Sequence, residues 1–575
     1  MARNVFNKLY LLVFILSTGG ILSPCLQAIA SKHPKVVTLD EYVNQTSKSG
    51  GYLLYEQSIV NVLSYNIDLY IEPEYKTIHS SVIIQVEILE DMSRFVLHLD
   101  SVFWVDRVMW IRPPYDSYSL DYIHKDGLLI MDFNDEVPAG SVIDIEVSYF
   151  GEPRSAENPP WDGGFVWAES ESGQPWIGVS CQANGADLWL PVKDHPSDRP
   201  DRVSMTITVP DGLNALSNGV LVSEESLSDD TNTFSWTHEF PINNYNITLA
   251  IGPFEKVSSQ YTSITGTKFP VYFWALPEHV HKAERLLPEV LKHMAFFEDF
   301  LGPYPFRSEK YGIVEMPYLG MEHQTLIAYG AGYIPDVVFE SGAGFDDLHH
   351  HELAHEWWGN FLTAYNWRDF WLHEGFATYM QALYVESVHD YEFYMRFMEI
   401  IYGRILNNIA IVPEGHPFAS DLLSGRDVYM KGAWVLHTLR YVIGEESFRN
   451  SLKSFLYPDD LYYTPQETPV PGRFTDTDTF TDLVEAKHGD SLRWLFDIYL
   501  KESELPELIK DWDENLLTLR WDTPGNRAFP MPVEVQDGDL IHIVIPDGKK
   551  SLEIRDVERV EIDPKNKVLR SGLFD

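Results

Sequence analysis

The sequence predicts an α+β chain of several domains: an N-terminal antiparallel β domain, a mainly helical middle, and a small β module at the end. Three observations carry this. Apolar and polar residues alternate from about residue 52 to 255, with turn signals between the runs. Helical periodicity takes over from Glu278, and alternation returns after Leu505-Pro506 breaks the last helix. The 575 residues leave room for three or four domains of ordinary size.

The first element is a targeting segment, residues 1–30. Arg3 and Lys8 precede an apolar run from Leu9 to Leu16, and Gln27-Ala28-Ile29-Ala30 ends in a small-x-small pattern. Cleavage after Ala30 and export to a periplasmic or extracellular space are expected, with no stable membrane span afterwards. Lipidation at Cys25 or an uncleaved anchor are the alternatives, although Pro24 and Gly19-Gly20 fit them poorly. After cleavage only Cys181 remains, so no internal disulfide forms, which suits a bacterial periplasmic protein better than an animal ectodomain. Asn44-Gln45-Thr46 and Asn246-Ile247-Thr248 are glycosylation sequons of little weight.

Residues 31–253 form the β domain. Ser64 to Ile71 and Val82 to Ile88 read as half-buried strands, and Asp211-Gly212 and Asn218-Gly219 as turns. Residues 254–503 form the helical domain, with helices over Glu278–Phe300, from Asp346 to about Tyr457, and from near Thr479 towards Leu500. Thr464 to Gly472 is a proline-rich loop. Residues 504–575 hold the last module, with strands at Leu516–Trp521 and Ile541–Ile545.

Charge narrows the function classes. Acidic residues outnumber basic ones, 86 to 43, and such a surface repels nucleic acid phosphates. No nucleic-acid partner is expected.

The chemistry concentrates in His351-Glu352-Leu353-Ala354-His355. Histidines four apart share one helix face, so two imidazoles converge on a single ion. Zinc suits imidazole in tetrahedral geometry, and Glu352 is placed to take a proton from water. His349 and His350, just upstream, read as solvated or capping residues. Eighteen residues separate His355 from Glu374, a carboxylate set among Phe370, Trp371, Leu372 and Phe376, too apolar for an exposed face. Two histidines and this glutamate complete a three-ligand site.

From His351-Glu352-Leu353-Ala354-His355-Glu356-Trp357-Trp358-Gly359-Asn360 through Trp371-Leu372-His373-Glu374-Gly375-Phe376-Ala377, the chain closely resembles the aminopeptidase N and leukotriene hydrolase family of gluzincin zinc peptidases. Gly302-Pro303-Tyr304-Pro305, Ser217-Asn218-Gly219 and Tyr245-Asn246-Ile247 extend the likeness. The resemblance implies a thermolysin-like catalytic domain followed by a small β-sandwich, while the family's C-terminal helical solenoid has no counterpart here. It implies one zinc ion per chain, held by His351, His355 and Glu374, with Glu352 as general base.

In Leu319-Gly320-Met321-Glu322-His323 the resemblance assigns substrate binding to Gly320, Met321 and Glu322, with Glu322 on the α-amino group. Leu319 and His323 depart from the family pattern, as does His373, where the family usually has asparagine. His323 is expected to alter how the peptide backbone is held. Gln182, in Ser180-Cys181-Gln182-Ala183, is a second anchor for the N-terminus. Tyr429, 55 positions beyond Glu374 and before Lys431-Gly432, matches the family tyrosine that stabilises an oxyanion. The implied activity is removal of residues from peptides with a free N-terminus. Epoxide hydrolysis by the same metal and a catalytically silent scaffold are the alternatives.

Overall fold

The strand Val60–Glu72 buries Ile67, Leu69 and Ile71 on one face and turns Asn66, Asp68 and Tyr70 outward, as its alternation requires. It centres an eight-stranded sheet that the computed structural model describes together with the rest of residues 36–574, apart from 40, 43–47, 113–115, 228–229, 424, 459, 465–471 and 547–548. The targeting segment, the Asn44 sequon and most of the Thr464–Gly472 loop lie outside the described residues.

On one side Val60–Glu72 pairs antiparallel with Thr77–Ile88. On the other it pairs parallel with Arg202–Pro210, Ile67 facing Met205. That parallel junction is an exception in a β domain whose long strand pairings are otherwise antiparallel, as expected. A parallel neighbour needs a long crossover, and the chain supplies it by running through a three-stranded sheet and the first two strands of a four-stranded one before Arg202. One has three strands, Met92–His98, Leu128–Val137 and Asp121–Lys125; the other has four, Gly164–Glu169, Pro175–Ser180, Leu249–Gly252 and Asn214–Ser217. All three sheets share one apolar core.

The next domain opens with a five-stranded sheet ordered Glu255–Thr262, Lys268–Ala275, Tyr311–Glu315, Ile327–Tyr329, Gly320–Met321. Among the described residues this domain has nine helices, in chain order α1 Val280–Leu301, α2 Asp347–Ala354, α3 Trp371–Val388, α4 Tyr391–Tyr402, α5 Ala419–Leu423, α6 Asp427–Ile443, α7 Glu445–Leu456, α8 Thr477–His488 and α9 Arg493–Lys501. The helix expected from Thr479 to Leu500 is two. Gly489 adopts φ +92° at the end of α8, the left-handed cap that glycine allows at least cost.

Two three-stranded sheets close the fold, Glu507–Asp513 with Leu516–Asp522 and Lys550–Glu553, and Val533–Asp537 with Leu540–Val544 and Val560–Ile562. Leu517, Leu519, Val533, Val535 and Val544 make their shared core. Beyond it the chain docks back on α6, where the Leu569 amide donates to Thr438 Oγ1 at 3.0 Å.

The most intimate helix contact is between α3 and α6. A Cβ placed on Gly432 would lie 2.9 Å from the Cα of Gly375, and one on Gly375 would lie 2.9 Å from both Gly432 Cα and the Val428 carbonyl oxygen. Two glycines therefore let the backbones touch. The contact sets Glu374, beside Gly375, against Tyr429 in the first turn of α6.

Candidate active site

The helix α2 starts at Asp346, whose carboxylate accepts from the His349 amide at 2.9 Å. One turn on, His351 and the helix-ending His355 present their Nε2 atoms 3.1 Å apart. Glu374 Oε2, from α3, lies 3.3 Å from His351 Nε2 and 3.4 Å from His355 Nε2. With zinc bonds of about 2.0–2.2 Å, a tetrahedral site has ligand-to-ligand edges of roughly 3.3–3.5 Å. The triangle is close to one face of that tetrahedron.

Hydrogen bonds fix how these donors face. His351 Nδ1 bonds Gln381 Oε1 at 3.2 Å, and Gln381 is oriented in turn because its Nε2 donates to the Asp347 carbonyl at 2.8 Å. His355 Nδ1 bonds the Trp358 carbonyl oxygen at 2.9 Å. Both acceptors are oxygens, so each neutral ring carries its proton on Nδ1 and turns a bare lone pair to the other's Nε2. Glu374 Oε2, 1 % exposed as a residue, has no hydrogen-bond partner among the described residues. Two facing lone pairs and an unpartnered buried carboxylate oxygen repel one another unless a cation sits between them, so the donor set fits zinc.

The electrostatics agree. Burial opposes a charge on His355, but Glu374, Glu322 and Glu352 outweigh it and push its pKa up to about 10. Burial raises Glu352 well above the carboxylate range, with Glu322 and Glu374 adding to the shift against the pull of His355. Burial likewise pushes Glu322 up to about 7. Three buried carboxylates around one point call for positive charge.

Each expected site residue is gathered at one cavity of about 310 Å³, lined by Gln182, Gly320, Met321, Glu322, His351, Glu352, His355, Glu374 and Tyr429 among others. A Cβ on Gly320 would meet Glu352 Oε1 at 2.5 Å, so any larger residue here would have to displace the Glu352 carboxylate. Gln182 Nε2 donates to Glu322 Oε1 and, at 3.1 Å, to Glu374 Oε1, joining the β domain to the site. The ring of Tyr429 stacks on His351 with centroids 6.0 Å apart.

His349 and His350 are corrected: neither is solvated nor a cap, since both are fully buried. Sequence spacing places them on the back of α2, but α1 and α3 close that side. His349 Nδ1 pairs with His293 Nδ1 and its Nε2 with the Tyr311 hydroxyl, both at 2.9 Å. The His350 ring packs between Phe297 and Tyr384. His323 is buried too and is not among the residues that line the cavity. His373 Nε2 accepts from the Ala364 amide at 2.8 Å, holding the loop that leads into α3.

Sequence reading missed several supports. Glu356, one position past His355, accepts from the Thr325 amide at 2.9 Å and from the Tyr304 hydroxyl at 2.8 Å. Asn360 donates to the Glu322 carbonyl at 2.9 Å and accepts from Asn246 at 2.6 Å. The Asn246 side chain is thus buried and engaged inside the fold. Gln381 lies seven positions after Glu374, two turns along the same face of α3, a spacing that marked it as a partner for the site. Arg404 and Arg426 line the cavity with no sequence signal at all.

Comparison with known proteins matches this geometry to one family. Putative aminopeptidase-2 of Caenorhabditis elegans is 26 % identical over 430 residues, covering 72 % of this chain and 22 % of its own length. Aminopeptidase M1 of Arabidopsis thaliana is 24 % identical over 498 residues, covering 80 % and 52 %. Leukotriene A-4 hydrolase of Xenopus laevis is 25 % identical over 338 residues, covering 55 % and 52 %. The chain thus spans between about a fifth and a half of the length of these curated relatives. In fold it is similar to an M1 zinc metallopeptidase from Deinococcus radiodurans, solved with a Tyr-Ser-Ala substrate, with a TM-score of 0.63, 22 % identity, and coverage of 78 % of this chain and 96 % of that one. Residues 61–245 match the Peptidase M1 N-terminal domain and residues 287–463 the Peptidase family M1 domain, more than half of the sequence between them, and the chain belongs to peptidase family M1.

Proposed function

We propose that the protein is a zinc-dependent aminopeptidase hydrolysing the first bond of peptides with a free N-terminus. The observation that supports this most is the facing pair of bare imidazole nitrogens with Glu374 Oε2 at the third corner, and Glu322 beside them. His351, His355 and Glu374 would hold one zinc ion, which when bound supplies Lewis-acid chemistry, polarising a carbonyl and acidifying water near neutral pH.

The chain's own groups divide the remaining work. Glu352 takes a proton from the attacking water and passes it to the departing amine. The Tyr429 hydroxyl donates to the oxygen on which negative charge develops. Glu322 and the Gln182 amide oxygen receive the substrate ammonium, so only the first peptide bond reaches Glu352. The carbonyl oxygen of Gln182 is available for this because its Nε2 is already spent on Glu322 and Glu374.

We further assign the protein to an exported compartment, periplasmic or extracellular, on the strength of residues 1–30. Among the described residues no helix is long and apolar enough to cross a membrane. An aminoacyl-reporter panel run with and without a zinc chelator tests the activity. Glu352→Ala should lower turnover by at least ~100-fold, and full turnover in that variant with zinc still bound would refute the assignment.

A further inference from the structure

Two arginines share the cavity with the acidic centre. Arg404 follows α4, and Arg426 immediately precedes α6, three residues before Tyr429. Among the described residues neither forms an ion pair, although the chain has twice as many acidic as basic residues. Arg404 feels Asp347, Glu340 and Asp336 without pairing to any of them, and Arg426 has no carboxylate partner among the described residues, so its guanidinium suits an anionic ligand.

Arg404 is firmly held. Its guanidinium donates to the carbonyls of Val338 at 3.0 Å and Phe339 at 3.3 Å and lies over the Phe339 ring. The same loop is gripped from its other side by Asp347, which accepts from the Val338 and Phe339 amides at 3.0 and 2.8 Å. Arg426 sits in the left-handed region, φ +55°, which is unfavourable for an L-residue, and its carbonyl accepts from the Tyr429 and Met430 amides at 3.1 Å. Its guanidinium has no hydrogen-bond partner among the described residues and is exposed.

The two cations stand close enough that burial first, and then Arg426, pull the Arg404 pKa down. The carboxylates that oppose this shift on Arg404 are Asp347, Glu340 and Asp336. Glu322, Glu352 and Glu374 line the same cavity as the two guanidinium groups, so it offers carboxylates that suit an ammonium and arginines that suit an anion. At about 310 Å³ it is of a size for a small ligand.

We propose that Arg426, backed by Arg404, forms a carboxylate-recognition subsite that favours substrates carrying a carboxylate beyond the scissile bond. This rests on the aminopeptidase reading for its orientation, but not for the existence of the subsite. The carboxylate belongs either to the C-terminus of a short peptide or to an acidic side chain.

Calorimetry on the Glu352→Ala protein separates these sources, with Ala-Ala-Ala against its C-terminal amide, and Ala-Asp-Ala amide against Ala-Asn-Ala amide. At least one acid should bind about tenfold or more tightly than its neutral partner, the range of a charge-assisted contact. Arg426→Asn, a residue that tolerates the left-handed conformation, should reduce that ratio below about threefold, and Arg426→Lys should retain part of it. The same ratios in kcat/KM of the wild-type protein serve should the Glu352 variant misfold. Equal affinity for acid and neutral partner in both pairs, or a preference that Arg426→Asn leaves intact, overturns the subsite. A carboxylate preference in a protein that cleaves no reporter would instead refute the aminopeptidase reading and keep the subsite.

Discussion

Replacing Gly432 by alanine tests the contact on which the arrangement of Glu374 and Tyr429 depends. Alanine in the interior of a helix normally gains about 1 kcal/mol over glycine. Here the new methyl would stand 2.9 Å from Gly375 Cα, and ordinary contact begins near 3.4 Å. The obstacle is backbone, so the two helices must part by at least about half an ångström. Overpacking of this kind costs typically 1–3 kcal/mol, and a backbone obstacle places it at the upper end. The net loss should be about 2 kcal/mol, or roughly 4–8 °C in Tm for a domain of this size. Moving α6 carries Tyr429 away from Glu374, so kcat should fall about tenfold or more while KM changes little. Gly403→Ala is the control. Gly403 has right-handed helical φ, and its Cβ would meet nothing nearer than 3.6 Å, so this variant should gain about 0.4–1 kcal/mol. Calorimetric melting and reporter kinetics on both variants suffice. If Gly432→Ala melts and turns over like the wild type, α3 and α6 do not touch as described.

Tyr429→Phe should lower kcat by ~100–1,000-fold with little change in zinc content, read by steady-state kinetics beside elemental analysis; a loss under about threefold would remove Tyr429 from the chemistry. Purified protein should carry one zinc per chain, and His355→Ala should lose it. Chelation should lower Tm by several degrees, since an ion bound only by the folded state stabilises by mass action; an unchanged melt on full metal removal would count against the site. Burial pushes Asp369 up to about 6 even though Arg368 and Thr477 oppose it. A carboxylate with a raised folded pKa contributes stability that is complete below about pH 4 and lost as pH rises through 6. The loss is at most about 3 kcal/mol, and Asp369→Asn, which keeps an acceptor for Thr477, should flatten the fall in denaturation midpoint between pH 4 and 7.

Much of this architecture is legible in the residues because period and chemistry act locally. The alternation in Ser64–Ile71 survives because one face of that strand is buried along its whole length, so a shift of one residue would turn Ile67, Leu69 and Ile71 outward. The parallel seam with Arg202–Pro210 leaves no such trace, since each strand alternates identically whichever way its neighbour runs. Gly489 is a stop inside an otherwise continuous helical period, and the period alone hides it. In the site, spacing alone brings His351 to His355, and the apolar setting of Glu374 marks it as interior. The histidines at 349 and 350 read as polar and therefore wet. Their burial depends on α1, which returns across α2 from some sixty residues upstream and supplies His293 as a partner.

The supports that no local pattern reveals are those joining distant segments, and they decide which reaction the proposed metal ligands can serve. Gln182 reaches Glu322 across 140 positions and Glu374 across 192. Asn218 donates to the Gln324 carbonyl, Asn360 to the Glu322 carbonyl, and Arg199 clamps the Asn360 carbonyl and Thr363 Oγ1 at 2.7 and 2.8 Å. The histidine pair on α2 marks where a metal would sit, but Glu322 is held relative to that point by Asn360 and by Gln182 of the β domain. An endopeptidase needs only the first of these. Restriction to the first bond needs both, because an ammonium anchor that drifted by an ångström would admit longer registers. Weakening the β-domain contacts, for instance at Asn246, should therefore erode the discrimination between free and blocked N-termini before it erodes metal binding. Equal loss of the two on titrating such variants with denaturant would show that anchor and metal site unfold as one.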